Sequence, residues 1–486
     1  MKFGGSSLAN AAKIKNAARV VERFSSGNRI VVVASAMDDT TDRLVEIGEL
    51  ARNGETARAR RILSSIQKLH TKTARATSSR KMSKELLDRI DRLNEELEKT
   101  VEGISHLREL TPRSRDYLLS FGERLSAPVL AAAIRSLGLK TRALTGAEAG
   151  IISDETFGEA NPLAEVSYHE IRRRLDPMLA RNEIPVVTGF IAATVDGSIT
   201  TLGRGGSDYT ASLLGAALNT EEIWIWTDVD GLMTADPRIV KNARLLPAVS
   251  FGEALELSYF GAKMMHPRAM QPAAQRKIPV RIRNFSKPSF EGTLVSSGET
   301  DNGGRIVKAV SIIGSVGIVT VSGTGMIGSP GAAAKIFMAL GSSNVNVMMI
   351  SQGSSEATIS CVVARKDVDN AVRALQLALL GQGLVDKVVA ERDACIIAVV
   401  GSGMKGTPGV AARIFGAVAR KKINVRIVAQ GSSEYNVSFV VSEHQGPEAV
   451  RAIHEEFQLG QNRHIGSRTS ESGSAFSSIP KPTPYA

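Results

Sequence analysis

Thr200-Thr201-Leu202-Gly203-Arg204-Gly205-Gly206-Ser207-Asp208-Tyr209 packs three glycines, a guanidinium, a serine hydroxyl and a carboxylate into one short segment. Glycines let the backbone turn tightly and approach a ligand. A guanidinium grips a carboxylate or phosphate through two parallel hydrogen bonds. Leu213, Leu214, Ala217 and Leu218 follow at helical spacing. The loop therefore opens a helix, whose free N–H groups and positive dipole end favour an anion. Turn chemistry alone is the bland alternative. Arg204, Gly205, Ser207 and Asp208 in the same loop point instead to an anion-and-substrate site.

Upstream, residues 184–190 read as a strand buried on both faces. Asp196-Gly197 then marks a hairpin that delivers the chain to the loop. Downstream, Ile223-Trp224-Ile225-Trp226 is a strand ending in Thr227-Asp228-Val229-Asp230-Gly231, with a turn at Asp236-Pro237-Arg238. Lys263, ahead of Met264, is either a snorkelling lysine or a phosphate ligand. At the N-terminus, Lys2-Phe3-Gly4-Gly5-Ser6-Ser7 precedes a helix over residues 10–24 and forms a second candidate phosphate cradle. It is not a GxxxxGK[ST] loop. Residues 30–34 are another buried strand, ending in Ser35 and a polar run to Asp42. Polar groups past the carboxyl end of a parallel strand sit where open α/β sheets bind ligands. Thr41 or Asp42 also suits a helix N-cap.

Residues 49–110 are charged and helix-periodic, which predicts a helical hairpin inserted on the sheet's edge. Glu123, in the apolar helical context of Ser120-Phe121-Gly122-Glu123-Arg124, is either a solvated face residue or a substrate contact. Alternating strands and helices up to Ile282 predict a mostly parallel sheet covered on both faces.

The chain has 486 residues, 43% hydrophobic and 22% charged, which suits about three domains of an ordinary globular protein. It carries no run of apolar residues long enough for a membrane span and no signal-peptide pattern at its start. Cys361 and Cys395 have no metal or redox spacing and read as reduced core residues of a cytoplasmic protein. The histidines form no ligand motif, so no metal site is expected. Net charge is +11. The basic residues are mixed with acids and no nucleic-acid motif is present, so a polyanionic small ligand such as a nucleotide is the better fit than nucleic acid.

Residues 319–363 match 397–441 without a gap, at roughly half the positions, which marks a duplication. Gly323, Gly325 and Gly328 fit GxGxxG, as do Gly401, Gly403 and Gly406. The strand that follows ends in Ser351-Gln352 instead of a ribose-binding acid, so a dinucleotide fold is rejected. Each unit reads as a ferredoxin-like βαββαβ. Gln352 and Gln430 stand at equivalent strand ends, and Asn346 and Asn424 precede the second strand. They suit two related small-ligand sites at an interface, with turn chemistry as the alternative. The segment from about residue 465 is Ser-, Gly- and Pro-rich and reads as disordered.

Lys2-Phe3-Gly4-Gly5-Ser6-Ser7, Phe121-Gly122-Glu123, Thr201 to Asp208, Trp226 to Gly231, Asp236-Pro237-Arg238 and Phe260-Gly261-Ala262-Lys263 resemble aspartokinase, in that family's order and spacing. The repeats resemble its ACT regulatory domains. The resemblance implies an amino-acid kinase fold over residues 1–295 with ACT domains at 305–385 and 386–463 and a disordered tail at 464–486. It implies transfer of the γ-phosphoryl group of Mg-ATP to L-aspartate, giving 4-phospho-L-aspartate, the first step of aspartate-family amino-acid biosynthesis. Lys2 would neutralise the transferring group while Gly4 and Gly5 cradle phosphates. Phe3, Thr227, Asp228, Met233, Arg238, Lys263 and Met264 would line the nucleotide. Ser35, Thr41, Glu123, Arg204, Gly205, Ser207 and Asp208 would bind aspartate, Arg204 on its α-carboxylate and Glu123 on its ammonium.

A carboxylate nucleophile is already ionised near neutral pH, so Asp208 is assigned an orienting role and no proton transfer. Gln352, Gln430, Asn346 and Asn424 would contact an allosteric amino acid, threonine favoured over lysine. ACT pairing implies at least a homodimer. No homoserine dehydrogenase follows the second unit, which implies a monofunctional enzyme. Three positions depart from the family's pattern: only Met1 precedes the first motif, Ser6 stands where Thr is usual, and Met233 where Tyr often lines the nucleotide. Another amino-acid kinase and a defunct amino-acid sensor are the rival readings.

Overall fold

The computed structural model describes residues 1–78, 80–259, 265–298, 305–381 and 383–461. Lys263, Met264 and the expected tail lie outside the described residues. The first half runs β1 (Lys2–Phe3), α1 (Ala11–Ser25), β2 (Val32–Ala34), α2 (Thr40–Arg52), α3 (Thr56–Thr77), α4 (Arg80–Leu107), α5 (Pro112–Arg135), β3 (Thr141–Leu144), α6 (Ala164–Ala180), β4 (Ile184–Thr188), β5 (Ile191–Ala193), β6 (Ile199–Thr201), α7 (Gly206–Leu218), β7 (Ile223–Thr227), β8 (Ala248–Ser250), α8 (Phe251–Tyr259), α9 (Pro267–Gln275), β9 (Val280–Asn284) and β10 (Thr293–Ser296). The second half runs β11 (Ala309–Ser322), α10 (Ala332–Ser342), β12 (Val347–Gln352), β13 (Thr358–Ala364), α11 (Val368–Leu379), β14 (Lys387–Val400), α12 (Val410–Arg420), β15 (Ile427–Gln430), β16 (Asn436–Val441) and α13 (Gly446–Glu456).

Eight strands form the first sheet in the order β3-β4-β2-β1-β7-β9-β10-β8. Neighbours from β3 to β9 are parallel; β10 is antiparallel to β9. The apolar runs in β2, β4 and β7 follow from burial on both faces. β1 has only two residues but lies at the centre, with Phe3 fully buried and stacked on Trp226 (ring centroids 6.1 Å apart).

The helical hairpin α3–α4 stacks on α2 and α5. This corrects the sheet-edge expectation. Its apolar face, including Leu63, Ile66, Ile90 and Leu97, joins Leu44, Ile47, Leu118 and Leu125 in one core. The reason is α5, in which nearly every residue from 116 to 134 is buried. A helix apolar all round must be covered on all sides. The sheet takes one side of α5 and the hairpin another. Arg124 of α5 clamps Glu96 of α4 at 2.8 Å to each carboxylate oxygen.

The second half is one six-stranded antiparallel sheet, β12-β13-β11-β14-β16-β15. β11 and β14 are both long and serve both repeats. Residues 316–322 of β11 pair with β13 and with the start of β14; residues 309–313 pair with its end. The strand that completes the second unit thus comes from upstream of the first. Register shifts near Val316 bend the long pair, and the edge strands β12 and β15 approach each other. The first two glycines of each GxGxxG serve packing. A Cβ on Gly325 would lie 2.1 Å from the Gly383 carbonyl oxygen, so no nucleotide can share that space.

The second unit docks on the kinase half. Lys308 Nζ meets Glu253 Oε2 at 2.7 Å, with both side chains almost wholly buried. Glu253 also accepts from the Ser250 N–H at 2.9 Å and the Ser402 N–H at 2.8 Å. Thr234 Oγ1 meets His454 Nε2 at 3.0 Å, and Asn436 donates to Glu256 at 3.0 Å.

Candidate active site

The register of the parallel strands aligns their carboxyl ends. Phe3 sits between Ala34 and Trp226, and Ala34 beside Thr188. Gly4, Ser35, Gly189 and Thr227 therefore leave the sheet side by side, at the edge where such sheets bind ligands. Backbone bonds hold the row: the Ser35 N–H donates to Phe3 O at 3.2 Å and the Gly189 N–H to Ala34 O at 2.8 Å.

The loop at 203–206 enters this row from the β5–β6 hairpin. Gly205 caps α7 with φ +73°, a left-handed conformation that favours glycine. Ser207 and Asp208 lie in the first turn of α7, where free N–H groups collect. Gly189 lets Ser207 come close: a Cβ on Gly189 would lie 2.5 Å from Ser207 Oγ. Asp208 Oδ1 meets Lys2 Nζ at 2.7 Å, with side chains only 13% and 12% exposed. This ion pair joins the two glycine-rich stretches.

Glu123 approaches from α5, which also comes close to Ala36 at Gly122. Glu123 is 3% exposed, so the solvated-face reading fails. Its Oε1 accepts from the Ala36 N–H at 3.1 Å, while its buried Oε2 has no hydrogen-bond partner among the described residues. Burial pushes the carboxyl up to about 8, against the opposing pull of the Ala36 N–H and the Lys2 charge. A buried carboxylate oxygen without a donor is a place for a ligand's N–H. Thr41 lies nearby, its Oγ1 3.6 Å from a Cβ placed on Gly122. Thr41 and Asp42 are inside the first turn of α2, not its N-cap; Asp39 holds that position without a side-chain cap.

Arg204 is exposed, and the next residue, Gly205, approaches His266: a Cβ there would lie 2.7 Å from His266 Cβ. Burial and the charges of Arg204 and Arg268 hold the His266 imidazolium below its usual range. On the β7 side, Thr227 Oγ1 donates to Asp228 Oδ1 at 3.2 Å. Arg238 extends into solvent and is paired with Asp236 of its own turn at 2.6 Å. Met233 is half-buried, in a bridge with Leu245.

Several residues escaped the sequence reading. Asn284, the last residue of β9, donates to Asp230 at 2.5 Å, and Lys287 beyond it meets the same carboxylate at 2.8 Å. The strand-end rule, carried one strand further, would have found them. Asp116 lies buried beneath Thr201 with no local signature. In the repeats, Gln352 and Gln430 are exposed at the ends of β12 and β15, and Asn346 and Asn424 are exposed ahead of them. Glu356 and Glu434, the last residues of the matching turns, accept from Gly328 and Gly406 at 3.0 and 2.6 Å. Those two acids tie each turn to the glycine loop upstream of it.

The amino acid kinase family matches residues 1–284, and an ACT domain family matches 319–379 and 397–457. Aspartokinase 1 of the Arabidopsis thaliana chloroplast is 34% identical over 473 residues, covering 94% of this chain and 79% of that protein. The chain belongs to the aspartokinase family. Membership makes it an ATP-dependent kinase acting on aspartate. The crystal structure of E. coli aspartokinase III with aspartate and ADP (R-state) is similar at TM-score 0.80 and 27% identity, covering 94% of this chain and 98% of the other. The same enzyme with lysine and aspartate (T-state) gives TM-score 0.77 at 28% identity, with the same coverage. The chain spans about half the length of the bifunctional aspartokinase/homoserine dehydrogenases that it also matches. No helix among the described residues is long and apolar enough to cross a membrane.

Proposed function

We propose that the row of strand ends binds MgATP and L-aspartate for in-line transfer of the γ-phosphoryl group to the aspartate side-chain carboxylate. The bond from the γ-phosphorus to the ADP oxygen breaks, a bond to the carboxylate oxygen forms, and ADP leaves. The observation that carries this reading is the Lys2–Asp208 ion pair, which joins the two glycine loops beside the partnerless Glu123 oxygen. Anions must meet here, and repulsion between them needs a cation at the point of contact. Lys2 fills that role, Gly4 and Gly5 receive phosphates, and Asp208 orients Lys2. Glu123 takes the aspartate ammonium and Arg204 its α-carboxylate, with Ser35, Thr41, Gly205 and Ser207 around them. Phe3, Thr227, Asp228, Met233, Arg238, Lys263 and Met264 form the nucleotide set.

The donor set suits a Mg²⁺ that arrives on the phosphates. Asp208 offers a carboxylate at the cleft, and no group of three potential ligands forms among the described residues. Bound there, Mg²⁺ would draw charge from the phosphoryl oxygens.

The exposed amides Gln352, Asn346, Gln430 and Asn424 take an allosteric amino acid, threonine in preference to lysine, at an interface completed by a second copy of the chain. The exposed apolar residues Ile350 and Val428 on the sheet's edge strands support that pairing. Both cysteines are free and buried, in keeping with a cytoplasmic enzyme of aspartate-family amino-acid synthesis.

ADP release is the test, measured with MgATP and L-aspartate, with and without L-threonine or L-lysine. Lys2→Ala is expected to lower kcat at least about a hundredfold while the protein stays folded. Near-normal turnover in that variant would sink the assignment.

A further inference from the structure

We propose that Asp116 is a positioning residue for aspartate, setting the loop that carries Arg204 at a fixed distance from Glu123. The inference rests on the aspartate-binding roles given above to Arg204 and Glu123.

Asp116 is completely buried near the start of α5. Its Oδ1 accepts from Thr201 Oγ1 at 2.7 Å; its Oδ2 accepts from the Thr201 N–H at 2.8 Å and the Gly158 N–H at 2.9 Å. Thr201 ends β6, three residues before Arg204. Among the described residues β6 pairs only with β5, in a two-stranded ribbon outside the main sheet. The loop's start therefore meets the main sheet only indirectly, through the Leu202 N–H, which donates at 2.9 Å to Phe190 O just past β4.

Asp116 fastens that starting point, and its third bond fastens a second segment against the loop. A Cβ on Gly203 would lie 3.2 Å from Glu159 Cγ and 3.3 Å from the Gly158 carbonyl oxygen. Ala160 then donates to Thr201 O at 2.9 Å. Arg268 of α9 donates to Ala160 O at 2.8 Å and lies 5.3 Å above the ring of Tyr209, the residue after Asp208. Entry and exit of the loop are thus held through one brace.

The same helix carries Glu123. Positions 116 and 123 are seven apart, two turns along one face of α5, about 10 Å of helix. A rigid helix therefore sets the spacing between the group assigned to the substrate ammonium and the loop assigned to its α-carboxylate. Two backbone N–H groups make Oδ2 an obligatory acceptor, while Oδ1 takes the Thr201 hydroxyl proton. In Asp116→Asn an amide N–H would meet that hydroxyl, which must then accept and turn its own proton to the distant Gly158 O, 3.5 Å away.

The test is steady-state kinetics on the full chain with Asp116→Asn, Thr201→Val, Thr201→Ser and Arg204→Ala. Thr201→Val keeps the shape and the backbone N–H but removes one donor. It and Asp116→Asn are expected to raise the KM for aspartate by about tenfold or more, because a loop displaced by a fraction of an ångström misplaces the substrate. The KM for ATP stays unchanged and Thr201→Ser restores wild-type values. An equal rise in both KM values would reveal a merely structural role and overturn the proposal. So would an unchanged aspartate KM in Thr201→Val, the variant that decides the matter if Asp116→Asn does not fold. Arg204→Ala separates the two layers. If it leaves the aspartate KM unchanged, the underlying site reading fails and takes the proposal with it; if it raises the KM while Thr201→Val does not, only the role of Asp116 falls.

Discussion

The two ACT units share about half of their aligned residues, yet one closes on itself and the other is closed by the kinase half. The difference sits in one turn. In the first unit the Thr324 N–H is taken by Asp386 at 3.0 Å. In the second unit the equivalent Ser402 N–H is taken by Glu253, from α8 of the kinase half, at 2.8 Å. The residue placed like Asp386 in the second unit is Lys308. Each donates its own N–H to the strand opposite, Asp386 to Ser322 and Lys308 to Val400. Lys308 supplies no acceptor and instead grips Glu253, with Nζ 2.7 Å from its carboxylate. A charge reversal at one position turns a self-contained module into a docked one.

The largest expected effect comes from breaking this asymmetry. Glu253→Ala removes a buried partner of Lys308 and the acceptor for two backbone N–H groups, and should cost about 3–5 kcal/mol in urea unfolding. Asp386→Ala removes an exposed cap, worth about 1 kcal/mol. Equal losses would mean that the two turns carry the same load and that the docking joint is not special.

A second prediction contrasts Glu253 with Glu123. Burial works to raise the Glu253 carboxyl, but Lys308 and the Ser250 and Ser402 N–H groups outweigh it and hold it below its usual range. Its stabilising contribution is present above the ordinary glutamate range and is lost as pH falls through the lowered value. Glu123 has no such cation bonded to it and is pushed up to about 8. Its sign is opposite: its contribution is complete below the unfolded value of about 4.3 and is lost as pH rises through the folded one. Glu123→Gln should therefore flatten the decline in stability between about pH 4.3 and about pH 8. Aspartate, whose ammonium needs the ionised carboxylate, should displace roughly one proton per site at pH 7, seen as a binding enthalpy that varies with buffer. No buffer dependence in the wild type would remove Glu123 from the ammonium.

The smallest effect concerns regulation. Gln352→Ala and Gln430→Ala should each weaken threonine inhibition by up to about tenfold without changing kcat, as expected for one lost hydrogen bond. Unchanged inhibition in both would move the effector elsewhere, and a response confined to Gln430 would give the docked unit the leading role.

What could be read from the sequence was what is local. The Gly203 loop, the strand ends at Ser35 and Thr227, and the gapless repeat all signal through neighbouring residues. Glu123 could not be classed, because whether α5 is covered on all sides depends on a hairpin folded over it. Asp116 gave no signal, since its three donors come from residues 158 and 201. The interleaving of the ACT units stayed hidden because residues 309–313 precede the recognisable repeat. Proximity in sequence groups Arg204 with Ser207 and Asp208, whereas in the structure Arg204 is exposed and the Lys2–Asp208 pair is largely buried.

That interleaving imposes an order on synthesis. The strand segment 309–313 leaves the ribosome before the whole first ACT unit, although its strand partner, the end of β14, comes only after that unit. Domains made N-terminal first fold as units, so the kinase half is complete when this strand emerges. It offers the strand a berth: Val310 donates to Thr234 O at 2.9 Å, and Lys308 reaches Glu253. The nascent edge is moored to the finished domain while its own sheet is still being translated.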